Sequence, residues 1–285
     1  GLYDMMETVT VDKKSKKYSD AIDYYEKMIN NPEKPSYAGI DLNTGQKTQN
    51  RSYYSFPKVP RLKIQTNPIK RLINRKMMNN YYLNNIENRY YKWFKSKIKF
   101  YYLSNNHLFK KNKTGYKYFL FPLHILNEWS NYPWMGIKYY NICELISEIA
   151  ACLPLNTKLY VKEHPSLFPQ KKISFYKKIY NIPNVVLIDR NEDTYTLIAN
   201  SESVITLGGT VGWESFIIGK PIISFSNVWY NQLPGVYMVK DEMDLVYILQ
   251  NISKIKLPSY DEKIKVIYSL YKISFKANHY PTEKI

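Results

Sequence analysis

The sequence predicts an α/β protein: a doubly wound, parallel, Rossmann-like sheet preceded by a basic helical segment. Three observations carry that prediction. From Tyr116 to about Ile252, short β-branched and apolar runs alternate with runs of helical period, the pattern of successive βαβ units. The short runs are mostly apolar, as strands buried on both faces are. Two of them pass straight into polar or glycine-rich residues, KLYVKEHP from Lys158 to Pro165 and VITLGGTVGWE from Val204 to Glu214. Ligands of open α/β sheets sit outside the carboxyl ends of the strands, so these two ends imply one shared cleft.

Taken in chain order, the first element expected is a helix over 20–30. Residues 31–60 are polar and carry Pro32, Pro35, Gly39, Gly45 and Pro57, which reads as a long mobile or functional loop. Residues 79–103 contain no Pro or Gly and interleave aromatic with basic side chains, a basic aromatic helix. SNNHLFKKNKTG, 104–115, reads as a linker. Strands are expected at 118–122, 159–162, 185–188, 204–207 and 222–225, each β-branched or aromatic. The clearest helix between them is 137–153, where Ile142, Leu145, Ile146, Ile149, Ala150 and Leu153 follow the spacing of one buried face. Further helices are expected at 174–180, 194–200, 212–218 and 241–252. The implied organisation is a helical and loop segment over 1–115, the sheet domain over 116–252 and a helical tail over 253–285.

Composition limits the function classes. With 285 residues and 45% hydrophobic content the chain buries a sizeable core. It holds no apolar run of the ~18 residues a membrane span needs and no basic-then-apolar signal segment. Its two cysteines, Cys143 and Cys152, match no metal or redox spacing, which points to a reducing cytoplasm. The net charge of +17 is concentrated: Arg51 to Tyr116 holds sixteen Lys and Arg against one acid, Glu87. Such a field attracts polyanions, so an anionic membrane surface or anionic polymer is the expected partner of that segment. No base-reading motif accompanies it, so no specific nucleic acid is expected. The alternative is a solvated face of an ordinary packing helix in a chain rich in Lys, Asn, Ile and Tyr.

The strand ends carry the chemistry. His164 closes one strand beside Lys162 and Glu163, where an imidazole can donate to a phosphate or assist a leaving group. After the other strand, Gly208 and Gly209 free backbone amides, Thr210 offers a hydroxyl, and a helix opens at about Val211. A helix N-terminus with its positive dipole end is a site for a phosphate. A Thr before a helix is by default an N-cap, and a Glu in a first turn is by default a dipole-favoured surface residue. Glu214, out of register for a capping box with Thr210, is nonetheless placed to meet the hydroxyls of a ribose. If the sheet is parallel, His124 and Glu128 after the first strand, and Ser226 and Asn227 after the last, share the same edge. There is no complete G-x-G-x-x-G, no Walker lysine, no hydrolase elbow and no aspartate cluster for a divalent metal.

Together FPLHILNEWS (Phe121 to Ser130), LPLNTKLYVKEHP (Leu153 to Pro165), FYKKIYNIPNVVLID (Phe175 to Asp189), VITLGGTVGWESFIIGKPIISF (Val204 to Phe225) and the following SNVWY resemble the bacterial capsule polysaccharide synthesis proteins. That family includes transferases of the sugar acid Kdo from CMP-Kdo. The resemblance runs from Tyr116 to Val239, about the C-terminal lobe of a GT-B glycosyltransferase. His164-Pro165 is similar to the dipeptide by which bacterial sialyltransferases hold the CMP phosphate, and the Gly-Gly-Thr turn matches their Ser/Thr phosphate contact. Two departures stand out: Asn127 occupies a place where the family often has Pro, and the family's T-G-T turn is Gly208-Gly209-Thr210 here.

The resemblance implies a glycosyltransferase of capsule or surface polysaccharide, with a CMP-linked sugar acid as donor and a glycan or glycolipid as acceptor. His164 and Glu128 are then the candidate catalytic residues. Lys162, Glu163 and His124 are candidate donor contacts from one side of the cleft. Gly208, Gly209, Thr210, Glu214, Ser226 and Asn227 are those from the other. No metal or further cofactor is implied. The expected location is the cytoplasm, peripheral on the inner face of the cytoplasmic membrane. Two other readings are a CDP-glycerol-type polymerase on the same scaffold and a non-catalytic polyanion- or RNA-binding protein. Residues 1–115 do not read as a full βαβ lobe, so the expectation is a fragment that binds donor without turning it over.

Overall fold

A computed structural model describes residues 6, 8–30, 94–112, 115–124, 141–163, 168 and 171–274. The loop expected at 31–60, the first part of the basic helix, Glu128, and the His164-Pro165 pair lie outside the described residues.

Six strands form one sheet: β1 (Lys117–Pro122), β2 (Thr157–Lys162), β3 (Val185–Ile188), β4 (Ser203–Thr206), β5 (Ile222–Ser224) and β6 (Val236–Met238). All pairings are parallel, and the spatial order is β3-β2-β1-β4-β5-β6. The described helices are α1 (Lys16–Asn30), α2 (94–105), α3 (Ile142–Cys152), α4 (Ile173–Tyr180), α5 (Thr194–Asn200), α6 (Thr210–Ile218), α7 (Glu242–Gln250) and α8 (Tyr260–Ile273). Five strands fall within two residues of their predicted bounds. β6 was not predicted, because its three residues offer no periodicity and two of them, Tyr237 and Met238, are exposed.

Successive side chains of a strand point to opposite faces, and both faces of this sheet are covered. Phe119, Phe121, Leu159, Val161, Leu187, Ile205 and Ile223 pack with α3, α4 and α7. Tyr118, Leu120, Tyr160, Ile188 and Val204 pack with Leu197 and Ile198 of α5 and Val211 of α6. On that second face the Tyr118 and Tyr160 rings stack 4.0 Å apart, and the Tyr118 hydroxyl donates to the Leu197 carbonyl. The buried phenol therefore keeps a partner, as a buried hydroxyl must.

The 104–115 stretch, read as a linker, is seated on the sheet. Leu103 and Leu108 are buried in the core, the Lys110 amide donates to Leu187 O, and the Asp189 amide donates to Lys110 O, both at 2.8 Å. One residue thus extends the ladder beyond β3, covering an edge whose backbone groups would otherwise be exposed. Its polar composition hid the anchoring Leu108.

A third cluster ties Met6, α1 and α8 to α6. Met6 and Ala21 pack with Phe216, Ile217, Ile264, Ile267 and Tyr268. Trp213 of α6 donates its indole N–H to the Tyr24 hydroxyl of α1 at 2.9 Å. Ser259 and Glu262 form a reciprocal capping box that starts α8. α6 is therefore clamped from behind by two helices, and α6 opens the candidate site.

Candidate functional site

The strand order reverses between β1 and β4, and an open α/β sheet has its ligand crevice at the carboxyl end of such a reversal. Because β2, β1, β4 and β5 are consecutive neighbours, Lys162, His124, Gly208 and Ser226 come to one edge from four strands. Glu128 and His164 lie outside the described residues; Glu163, the neighbour of His164, is fully buried.

The turn from β4 into α6 is the centre of this edge. Gly208 and Gly209 have φ values of 128° and 86°, a region that L side chains rarely adopt. Gly209 is the N-cap of α6 and supplies no side-chain cap, and a Cβ there would meet nothing within 4 Å. The backbone is thus open at a helix start, where N–H groups have no intrahelical partner. Thr210, expected as an N-cap, is instead the first residue of the helix: the extra glycine moves the cap back by one. Its exposed hydroxyl bonds the Glu214 carboxylate one turn on. Burial pushes the Glu214 carboxyl above its ordinary value, and the Thr210 bond offsets part of that rise.

Side chains behind the turn hold it. The Thr206 hydroxyl lies 3.0 Å from the Gly208 amide and 2.6 Å from the Gly208 carbonyl. The Ser226 hydroxyl donates to Leu207 O, and the Tyr230 hydroxyl donates to Gly209 O at 3.0 Å. His124 reaches the same turn across the strand-order reversal. Its Nδ1 is 2.7 Å from Pro122 O, an acceptor, which assigns the proton to that nitrogen. Nε2 then accepts from the Leu207 amide at 3.2 Å and lies 2.8 Å from the Thr206 hydroxyl. The Gly208 carbonyl, 2.6 Å from the same Nε2, can accept only from the charged ring. Burial pushes the His124 pKa below its ordinary 6.5, the Pro122 and Gly208 carbonyls oppose that, and the Lys171 charge adds to the lowering.

His124 and Ser226 are thus buried supports of the turn, whereas Gly209, Thr210 and Asn227 are exposed at the edge. Lys162 is buried and donates to Arg190 O at 3.3 Å, and Glu163 accepts from the Tyr176 hydroxyl at 2.5 Å. Thr206, Tyr176 and Tyr230 were not singled out from the sequence. Thr206 sits two residues before the double glycine, a usable signal; the two tyrosines are 13 and 21 residues from their partners and give none.

Tyr230 also explains Gly212. Its ring lies against the first turn of α6, where any Cβ on Gly212 would overlap it. Gly212→Ala is expected to destabilise the protein by about 1 to 3 kcal/mol through overpacking, outweighing the roughly 1 kcal/mol that Ala gains over Gly in a helix. Urea unfolding of the two proteins measures this. Equal or greater stability of the variant would contradict the packing described.

Among the described residues no group of three or more His, Cys, Asp or Glu is placed to hold a metal ion, and no helix is long and apolar enough to cross a membrane.

The sheet and its glycine turn define a Rossmann-like α/β protein with its most open backbone at the switch point. The chain belongs to the capsule polysaccharide biosynthesis protein family, whose profile matches residues 28–244. The match begins well ahead of the motifs from Tyr116 onward and takes in the basic segment. Comparison with curated protein sequences gives no match. Among solved structures, the chain is similar to the beta Kdo 2,7 transferase of KpsC from Thermosulfurimonas dismutans, at 16% identity and a TM-score of 0.39, over 72% of this chain and 58% of that one. It is similar to the beta Kdo 2,4 transferase of the same KpsC at 14% identity and a TM-score of 0.34, over 61% and 62% of the two chains. A UDP-GlcNAc 2-epimerase from Methanocaldococcus jannaschii matches at 18% identity and a TM-score of 0.40, over 55% and 46%. The chain spans between about half and three fifths of the length of these structures.

Proposed function

We propose that the sheet domain is the donor-binding lobe of a nucleotide-sugar-dependent glycosyltransferase of GT-B type, acting in capsule polysaccharide biosynthesis with a CMP-linked sugar acid as donor. One observation carries the reading: an uncapped helix start, reached through two positive-φ glycines, stands at the switch point of a parallel sheet. That arrangement suits a phosphate. In the transfer step an acceptor hydroxyl oxygen bonds to the anomeric carbon as the bond from that carbon to the donor phosphate breaks; the departing nucleotide takes the electron pair, and the acceptor's proton passes to solvent. The amides at Gly209 and Thr210, with His164 from the chain after β2, stabilise the charge that develops on that phosphate. Glu214 reaches the ribose once it exchanges its Thr210 bond for the sugar hydroxyls. Glu128, which lies outside the described residues, is assigned by the family resemblance to the transferred sugar. His124 and Ser226 act by positioning the turn rather than by touching the donor.

Calorimetric titration with CMP, CDP and UMP tests the choice of nucleotide. CMP is expected to bind most tightly; a preference for CDP would favour the CDP-glycerol-type reading, and a preference for UMP would remove the cytidine assignment.

The basic segment fits an anionic membrane surface or a nascent anionic polymer. On α2, Phe94, Ile98 and Tyr101 are exposed at a spacing of four and three residues, one face of a helix, and exposed Lys95 and Lys97 flank them. An apolar stripe edged by lysines is the pattern of a helix lying in a lipid interface. Liposome co-sedimentation is expected to show binding to anionic but not neutral vesicles, weakening steeply as salt shortens a screening length of about 8 Å. Equal partition into both would contradict it.

A further inference from the structure

We propose that the ammonium of Lys171 is a second anion ligand of this edge, taking a carboxylate or phosphate group of the donor beside the ends of β1 and β2. The proposal rests on the donor-lobe reading above and adds a residue that no motif marks.

Lys171 lies between the end of β2 and the start of α4. Its Nζ is buried from solvent and, among the described residues, has no hydrogen-bond partner. The contact it does make is with the Phe175 ring, 4.7 Å from the ring centroid, which attracts a cation but satisfies none of its three donors. Buried charges are as a rule paired, and a lysine without a partner persists at a cost to stability. Such groups gather at sites that receive a ligand.

Its place in the connection from β2 to α4 puts Lys171 at the carboxyl edge of the sheet, and its charge couples to three groups there. Glu163 follows β2, His124 follows β1, and Cys143 is in the first turn of α3. Burial lowers the Lys171 pKa, and Glu163 and Cys143 pull it back up. The Glu163 carboxylate accepts from the Tyr176 hydroxyl and acts on Lys171 through its charge. α3, which follows β1, also begins without a side-chain cap at Asn141.

Gly209 follows β4 and Lys171 approaches from the β2 side of β1, so the two anion sites flank the strand-order reversal. A donor with two separated anionic groups, a nucleotide phosphate and the carboxylate of a sugar acid, spans such a pair. A neutral sugar would leave the ammonium unmatched. Lys171 would then select donors by the charge of the transferred sugar.

The test compares wild type with Lys171→Met, a neutral side chain of similar length, and Lys171→Gln should the first not fold. Without ligand, the melting temperature of Lys171→Met is expected to equal or exceed that of wild type, because a buried unpaired charge has been removed. In calorimetry the variant is expected to bind CMP-Kdo at least about tenfold more weakly. If CMP affinity is kept, Lys171 holds the sugar carboxylate; if CMP weakens equally, it holds the phosphate. Both outcomes support the proposal. Unchanged affinity for both ligands in a folded variant overturns it. Should wild type bind neither nucleotide, the donor-lobe reading falls, and Lys171 is judged by inorganic pyrophosphate alone: a thermal shift in wild type lost in the variant supports the anion site, and a shift in both or in neither overturns it.

Discussion

His124→Ala is expected to lower the unfolding free energy by about 3 kcal/mol or more, as read from urea or thermal unfolding. The imidazole is buried and joins β1 to the turn after β4 through Pro122 O, Thr206 and the Leu207 amide. Alanine would leave a cavity, a term of some kcal/mol by itself, and would strip the buried Leu207 amide of its acceptor. The same residue predicts a pH dependence. Burial holds its folded-state pKa below the ordinary 6.5, so the unfolded chain binds the proton first as the solution is acidified. The His124 contribution is therefore complete above about pH 6.5 and is lost as the pH falls from there through the folded pKa. Wild type should show this loss, and His124→Gln, which cannot take up that proton, should show less of it. A variant as stable as wild type, with the same acid profile, would mean that the ring does not hold the turn.

The strands were legible because a parallel sheet buried on both faces writes itself as apolar runs, and their order along the chain follows directly. The edge that carries the candidate site was legible for the same reason: in a parallel sheet every carboxyl end is on one side. Which side chain at that edge faces outward was not. Lys162, Glu163, His124 and Ser226 all stand at strand ends, yet they turn into the protein because partners distant in sequence wait there: Arg190, Tyr176, Thr206 and Leu207. The seating of 104–112 on β3 depends on Leu108 among polar residues and on Leu103 just before them, and β6 on an edge position that demands no alternation. Lys171 sits in a Gln-Lys-Lys run that reads as a solvated surface, and tertiary burial alone distinguishes it from Lys172.

The central claim is that a nucleotide phosphate sits on the Gly208–Thr210 turn, and calorimetry of CMP against three variants tests it most directly. Gly209→Val places a β-branched residue at φ 86°, which it cannot hold without strain, and puts a side chain over the backbone the phosphate must approach. Because the space around a Cβ there is empty, the domain is expected to fold, with the damage confined to the turn. Thr210→Ala and His164→Ala each remove one hydrogen bond to a charged group, worth about 1.5 to 3 kcal/mol, or roughly ten- to a hundredfold in affinity. The account predicts measurable CMP binding by wild type, none detectable in Gly209→Val, and losses of that size in the other two. CMP binding of wild-type strength in a folded Gly209→Val variant would contradict it.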